Sequence, residues 1–350
     1  MRVDEKRLRA IVREILAGLG EDEEGSGLAA DALVGADLRG VSTHGVNLLR
    51  LISQRAAAGM LSLPTKVKIV KEDGATAALD GGNGLGQIAA HRALIAAVAL
   101  AKRYGIGMSV LRNTNNIGAL GYFTSSVASK EGVAAIAMTN GNPSVAPHGA
   151  ADPFFGTNPL SISVPAGAGR SLVLDMSSSV VARGKIRLAS LGGESIPTGW
   201  ALDSEGLPTT DPKKALKGSL LPLGGPKGSG LAMMIDILAG LVSGSAYGRK
   251  LKSFHELEGP TGVGASFIAV DLGRFIDPAL FASLIEEYTS EIKALRKQPG
   301  VNEILLPGEV ESNKEAESRR LGIEIPEAVA AAIDEILRKS GSASRLSAEG

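Results

Sequence analysis

The chain has 350 residues, no cysteine and a formal net charge of zero, from 37 basic and 37 acidic side chains. Balanced charge without a basic block excludes the electrostatic footprint of a nucleic-acid binder. A 3% aromatic content leaves few stacking platforms, and the missing cysteines remove disulfides, thiolate metal sites and cysteine nucleophiles. No apolar stretch reaches the length of a membrane span, and the charged start MRVDEKRLRA lacks the apolar core of a signal peptide. The expected location is the cytoplasm, and the expected partner is a small molecule rather than nucleic acid or membrane.

Leu8, Ile11, Val12, Ile15, Leu16 and Leu19 recur at helical spacing and predict a helix over 4–19. GEDEEG (20–25) reads as a solvated turn. Further helices are predicted over 28–38 and 46–58, and short strands over 67–70 and 76–80. GGNGLG (81–86) leads into an Ala-rich helix, 87–104. A strand at 107–111, a helix at 119–130 and β-type runs at 133–139, 160–164 and 171–174 follow. Residues 190–221 read as loop. A helix from 228 to about 242, a strand at 266–272 and two proline-led helices at 278–297 and 326–339 complete the pattern. The last residues, SGSASRLSAEG, are polar and are expected to be flexible.

Irregular strand spacing favours a mixed, mostly antiparallel sheet over serial βαβ units. The predicted fold class is therefore α+β. A helical domain is built from 1–75 with 275–340, a sheet domain spans 76–274, and 341–350 form a tail.

Four places carry chemistry, each with a plainer alternative. GGNGLG follows a strand and precedes a helix, but its glycines are spaced G-x-G-x-G and Gln87 stands where a dinucleotide fingerprint has its third glycine. The next strand ends in Leu111-Arg112 rather than in an acid for the ribose. A tight turn is favoured, and a two-domain dehydrogenase using this loop for phosphate is the lesser reading. GGPKGSG (224–230) opens a helix beside Lys227, which suits an anion as well as a simple glycine turn. His44, in Ser42-Thr43-His44-Gly45, is either a general acid or a structural histidine. The four histidines, at 44, 91, 148 and 255, are not at metal-ligand spacing, so no metal is expected. Asp175, closing the apolar run of VLDMSSS, is either a strand-end catalytic group or a turn cap.

Together the segments ADLRGVSTHG (36–45), GGNGLGQ (81–87), FGTNPLSISVP (155–165), LVLDMSSSVVARGK (172–185), LPLGGPKGSGLAMMIDILAGLVSG (221–244) and LLPGE (305–309) resemble the second type of malate/L-lactate dehydrogenase. This family includes ureidoglycolate and sulfolactate dehydrogenases. The resemblance implies a sheet that binds NAD or NADP without the conventional dinucleotide fold, a homodimer, and hydride transfer with a small 2-hydroxy or 2-keto acid. It implies that His44 and Asp175 lie near the nicotinamide, the carboxylate orienting the imidazole from behind. Asn140, Asp175, Met176, Ser177, Lys227, Pro307, Gly308 and Glu309 match cofactor-contacting positions.

Two positions depart from the family pattern. Leu48 stands where an arginine clamps the substrate carboxylate, on the same helical face as His44, with Arg50 pointing away. Asn116 stands where a histidine is common and, in some members, is the proton donor. His148 replaces a residue that is usually aromatic. These departures motivate a second reading, a cofactor-binding member whose catalysis is lost or altered.

Overall fold

Asp4 accepts the N–H groups of Lys6 and Arg7 and starts α1 (Glu5–Gly18), and Asp22 accepts that of Gly25 and starts α2 (Glu23–Leu38). GEDEEG is therefore the head of a helix and not the solvated turn expected. Its acids face the positive end of α2, and Glu21 is buried, taking the N–H and Oγ1 of Thr65. The helix predicted over 46–58 is a 3₁₀ turn, Val46–Leu48, followed by α3 (Leu49–Ala57). The computed structural model describes residues 1–167 and 169–347.

Strand β1 (Arg2–Val3) precedes α1 and pairs with the chain's other end; after α3 come β2 (Lys68–Asp73), β3 (Thr76–Asp80), α4 (Gly86–Tyr104), β4 (Ile106–Thr114), α5 (Leu120–Glu131) and β5 (Val133–Thr139). They are followed by β6 (Leu160–Pro165), β7 (Ser171–Met176), α6 (Arg183–Gly192), β8 (Ala201–Leu202), α7 (Pro212–Ala215), β9 (Ser219–Leu220) and α8 (Pro226–Ile235). The chain ends with β10 (Val263–Asp271), α9 (Pro278–Ala294), α10 (Glu309–Leu321), β11 (Ile323–Glu324) and α11 (Glu327–Lys339). Residues 190–221, expected as loop, hold the end of α6, β8, α7 and β9.

The main sheet runs β2-β3-β4-β10-β5-β6-β7. Only β3 and β4 pair in parallel within it, and every other neighbouring pair is antiparallel. The mixed, mostly antiparallel α+β architecture read from the strand spacing is thus the one observed. The parallel pair is joined by α4, so GGNGLG does open a βαβ crossover. Small residues let α4 lie close on the sheet. Ala89, Ala90, Ala93, Ala97 and Ala101 are buried, and a Cβ on Gly107 would sit 2.1 Å from the Ala97 carbonyl oxygen.

Three apolar clusters hold the layers. One gathers Leu8, Leu16, Leu33, Leu49, Ile333 and Leu337, from both chain ends. A second fills the space between the sheet and α4 with α5, around Phe123 and Phe267. A third, smaller one contains Val145, Ile186 and Leu220. The tail expected to be flexible instead docks as far as Ser347. Leu346 is fully buried, its N–H donates to Asp334, and Arg7 donates to the Arg345 carbonyl at 3.1 Å. Residues 348–350 lie outside the described residues. Among the described residues no helix is long and apolar enough to cross a membrane.

Candidate active site

His44 ends the 3₁₀ turn Ser42–His44, its N–H bonded to the Val41 carbonyl at 2.9 Å. The turn is fixed from α2. Asp37 is buried there and accepts the Val46 N–H at 2.7 Å. Its carboxyl lies against the Cα of Gly45, where a Cβ would come within 2.1–2.3 Å of it. Burial pushes Asp37 up to about 7, against the opposing pull of the Val46 N–H. Burial also holds the His44 imidazole below its ordinary pKa. The His44 Nδ1 is buried and has no hydrogen-bond partner among the described residues, a situation that costs about 1–3 kcal/mol.

Two glycines stand beside this turn. A Cβ on Gly118 would be 3.8 Å from the His44 carbonyl oxygen and 3.8 Å from Gln87 Nε2, and one on Gly184 would touch Thr43 at 3.6 Å. Asn116 shapes the first of these neighbours, its Oδ1 accepting the Gly118 N–H at 3.0 Å. Three residues on, the Gly121 N–H donates to Asp175 Oδ2 at 2.7 Å. Asp175 keeps exposed surface, but desolvation of its carboxyl raises its pKa to about 6, with that N–H and Arg39 opposing. The expectation that this carboxylate sits behind the imidazole is corrected here. Asp175 and His44 share no hydrogen bond, and the carboxylate is spent on the first turn of α5.

The Ser177 segment continues toward α8. The Ser177 hydroxyl lies 3.1 Å from that of Ser179, and Ser178 accepts the Leu223 N–H at 2.9 Å. That turn leads through Gly224 and Gly225, both at positive φ, into α8. Lys227 is exposed in its first turn and has no ion pair among the described residues, an arrangement suited to an anion. The His148 ring packs 3.6 Å from a Cβ position on Gly225, and the backbone N–H of His148 donates to Ser229 Oγ at 3.0 Å. Pro307 and Gly308 lie on β7. The Val173 N–H donates to the Pro307 carbonyl at 3.1 Å, and Gly308, at φ +84, has no room for a Cβ beside Val173.

Two of the expected cofactor contacts have side chains committed elsewhere. Asn140 is saturated by Asp236, the Ala246 carbonyl and the Gly264 N–H at 2.9–3.0 Å. Glu309 pairs with Lys293 at 2.8 Å and accepts the Leu306 N–H, which holds it below the usual carboxylate range. Met176 is half-buried at the end of β7, opposite Leu160.

The helical-face argument at position 48 fails. Gly45 is extended, at φ −93 and ψ −151, so His44 and Leu48 lie on separate turns. Leu48 is 6% exposed in the helical core, and Arg50 faces solvent next to Val329 and Ile333 of α11. GGNGLG is the tight turn. A Cβ on Gly84 would meet Thr65 at 2.4–2.8 Å, and one on Gly86 the Asn115 and Asn116 carbonyls at 2.2–2.5 Å. Packing therefore requires these two glycines, as the tight-turn reading expects. A hollow of about 470 Å³ beside β2, lined by Pro64, Lys66, Lys68 and Asp80, shares no residue with the His44 set. Among the described residues no group of three or more His, Cys, Asp or Glu could hold a metal.

The turn of His44, the loop before α5, the end of β7 and the 307–309 turn therefore meet at one edge of the sheet. The malate/L-lactate dehydrogenase family model matches residues 3–334. The chain belongs to that family. It is similar to the malate dehydrogenase of Pyrococcus abyssi, 36% identical over 97% of this chain and 95% of that one. It is 31% identical to the ureidoglycolate dehydrogenase (NAD(+)) of Escherichia coli K12, over 93% of each. The solved sulfolactate dehydrogenase of Methanocaldococcus jannaschii superposes with a TM-score of 0.92 at 35% identity, over 98% of each chain. As a malate/L-lactate dehydrogenase family member the chain is an oxidoreductase of the hydroxy-acid dehydrogenase class that uses a nicotinamide cofactor. These relatives give no support to a member that has lost catalysis.

Sequence reasoning missed Asp37 and Arg39, which organise this edge. Both lie in the segment quoted for His44, and Asp37 is a charge at a helical position surrounded by apolar ones. That misplaced charge was the available signal.

Proposed function

We propose that this family member interconverts a small 2-hydroxy acid of the malate or lactate kind and its 2-keto acid, using NAD or NADP, with His44 handling the proton. One observation carries this reading: a half-buried imidazole whose buried Nδ1 has no partner among the described residues, on a turn beside Gly118 and Gly184. An orphaned buried nitrogen is a site that bound groups complete. Lys227 at the head of α8 suits the phosphates, and Gly308 lets the 307–309 turn lie flat on β7 next to Asp175.

The nicotinamide, when bound, supplies or accepts the hydride. His44, held neutral by burial, removes the proton of the substrate hydroxyl during oxidation and returns it during reduction. Acid–base help of this kind contributes about 10²–10⁴-fold. Asp175, ionised above about 6, acts on the same edge through the first turn of α5, whose Gly121 N–H it accepts. Asn116 keeps the Gly118 loop in place and offers no proton.

The working unit is a homodimer. No residue of α9 is buried, and Leu280, Leu284 and Tyr288 are 45–62% exposed, an apolar face that a second copy covers.

The test follows NADH and NADPH oxidation across a panel of 2-keto acids, with calorimetry of both nucleotides. His44→Ala should lose about 10²–10⁴ in turnover while nucleotide affinity stays within about threefold. A parent protein that binds nucleotide and turns over none of the acceptors refutes the reading.

A further inference from the structure

Gly121, the second residue of α5, is gripped at both ends of its backbone. Its N–H donates to Asp175 Oδ2 at 2.7 Å, and its carbonyl accepts from Arg39 Nη1 at 2.9 Å. Asp175 comes from β7 and Arg39 from the C-terminal cap of α2, so one residue of α5 ties the strand carrying the carboxylate to the helix that leads to His44. Gly121 must be glycine for this, because a Cβ would lie 2.8 Å from Asp175 Oδ2.

Arg39 is itself locked. Its Nε bonds Glu315 Oε2 at 3.2 Å, and its side chain is 18% exposed. Glu315 is held in turn by Arg319 at 2.8 Å, Arg319 pairs with Glu5, Glu5 with Arg9 at 2.9 Å, and Arg9 with Asp31. This run of alternating charges crosses α10, α1 and α2 and ends at the Gly121 carbonyl. A guanidinium fixed on two sides is a planar, permanently charged group with little freedom left to lose.

From this geometry we infer that Arg39 is the positioning residue of Asp175, holding α5 at the distance where the carboxylate bonds Gly121 and setting the charge state of that carboxylate. The inference rests on the reading that Asp175 belongs to the hydride-transfer site. The charged groups facing Asp175 are Arg39 from α2 and Glu311 from α10, the first lowering its pKa and the second raising it, while desolvation raises it most. The two variants Arg39→Gln and Glu311→Gln therefore act in opposite directions.

The test has two separate readouts on the full-length protein. The first is ¹³C-NMR titration of labelled aspartate carboxyls, with the Asp175 resonance assigned by its loss in Asp175→Asn. Its midpoint should rise by about one pH unit in Arg39→Gln, through loss of a nearby opposite charge. It should fall in Glu311→Gln and stay close to the parent in Arg39→Lys. The second readout is the acidic limb of kcat/KM, which should move with the NMR midpoint.

An unmoved midpoint in a folded Arg39→Gln overturns the inference. If Arg39→Gln does not fold, Glu315→Gln replaces it. Glu315 is not among the groups facing Asp175, so it acts there only by fixing Arg39. Freeing Arg39 of that partner should raise the midpoint, in the same direction as Arg39→Gln, and a midpoint that stays put or falls overturns the inference. A midpoint that moves while the kcat/KM limb stays fixed upholds the role of Arg39 and refutes instead the placing of Asp175 in the reaction.

Discussion

Asp37 occupies the space that a side chain at position 45 would need. A Cβ on Gly45 would fall 2.1–2.3 Å from its carboxyl atoms, although the backbone there, at φ −93, suits any residue. The glycine after His44 is therefore required by a carboxyl on a neighbouring helix, and the placement of the imidazole depends on that contact.

Gly45→Ala should consequently destabilise the protein by roughly 1–3 kcal/mol, as overpacking in a buried site does, and should reduce turnover more than nucleotide binding. Adding Asp37→Ala removes the obstruction, so the double variant should be more stable than the sum of its parts. Urea unfolding of the four proteins in this cycle measures the coupling. Strict additivity would show that the contact does not fix the turn.

Asp37 also makes stability depend on pH. Its folded-state pKa is about 7, well above the ordinary 3.8. A group whose pKa is raised by folding contributes its full stability below the unfolded value and loses it as pH rises through the folded one. The loss falls between about pH 4 and pH 7 and amounts to at most about 4 kcal/mol. Asp37→Asn still accepts the Val46 N–H without a charge. It should raise Tm at pH 8 and leave it nearly unchanged at pH 4.

Catalysis should titrate as well. Asp175 is ionised above about 6, and a neutral His44 is the form that accepts a proton. kcat/KM for oxidation of the hydroxy acid should therefore climb with pH through about 6 and then level off, while reduction of the keto acid should have an acidic optimum. Asp175→Asn should flatten the climb. Full pH profiles in both directions check this, and an unchanged profile in the variant would remove Asp175 from the reaction.

Lys227 has no ion pair among the described residues to lose. Lys227→Ala should leave Tm within about 1 °C, as surface substitutions usually do, and weaken nucleotide binding about tenfold, less so at high salt because exposed charges are screened. Calorimetry at two ionic strengths measures both effects.

The long periodic elements were legible in the sequence. Val133–Thr139 runs over the predicted 133–139, and α1 follows its apolar spacing behind an Asp cap. The mixed sheet followed from uneven strand spacing. Helices α6 and α10 were not read. Helix α10 carries few apolar residues, and α6 is a short helix with only Ile186 buried, its apolar residues too few for a clear stripe. At the site, His44 and Asp175 could be named by motif, but the partner of Asp175 could not. A backbone N–H at Gly121 leaves no pattern in side-chain chemistry. Likewise Leu48 could be seen as a departure, but its burial in the core follows only from the extended Gly45 that separates the two 3₁₀ turns.

Strand β10 lies hydrogen-bonded between β4 and β5, yet it is made from 263–271, long after both. On the ribosome, β4 and β5 thus emerge with facing edges unsatisfied and stay so through synthesis of everything from 140 to 262. Exposed edges of this kind template mispairing. The nascent chain is most vulnerable in that interval, and the last strand of the main sheet to arrive is the one that seals its middle.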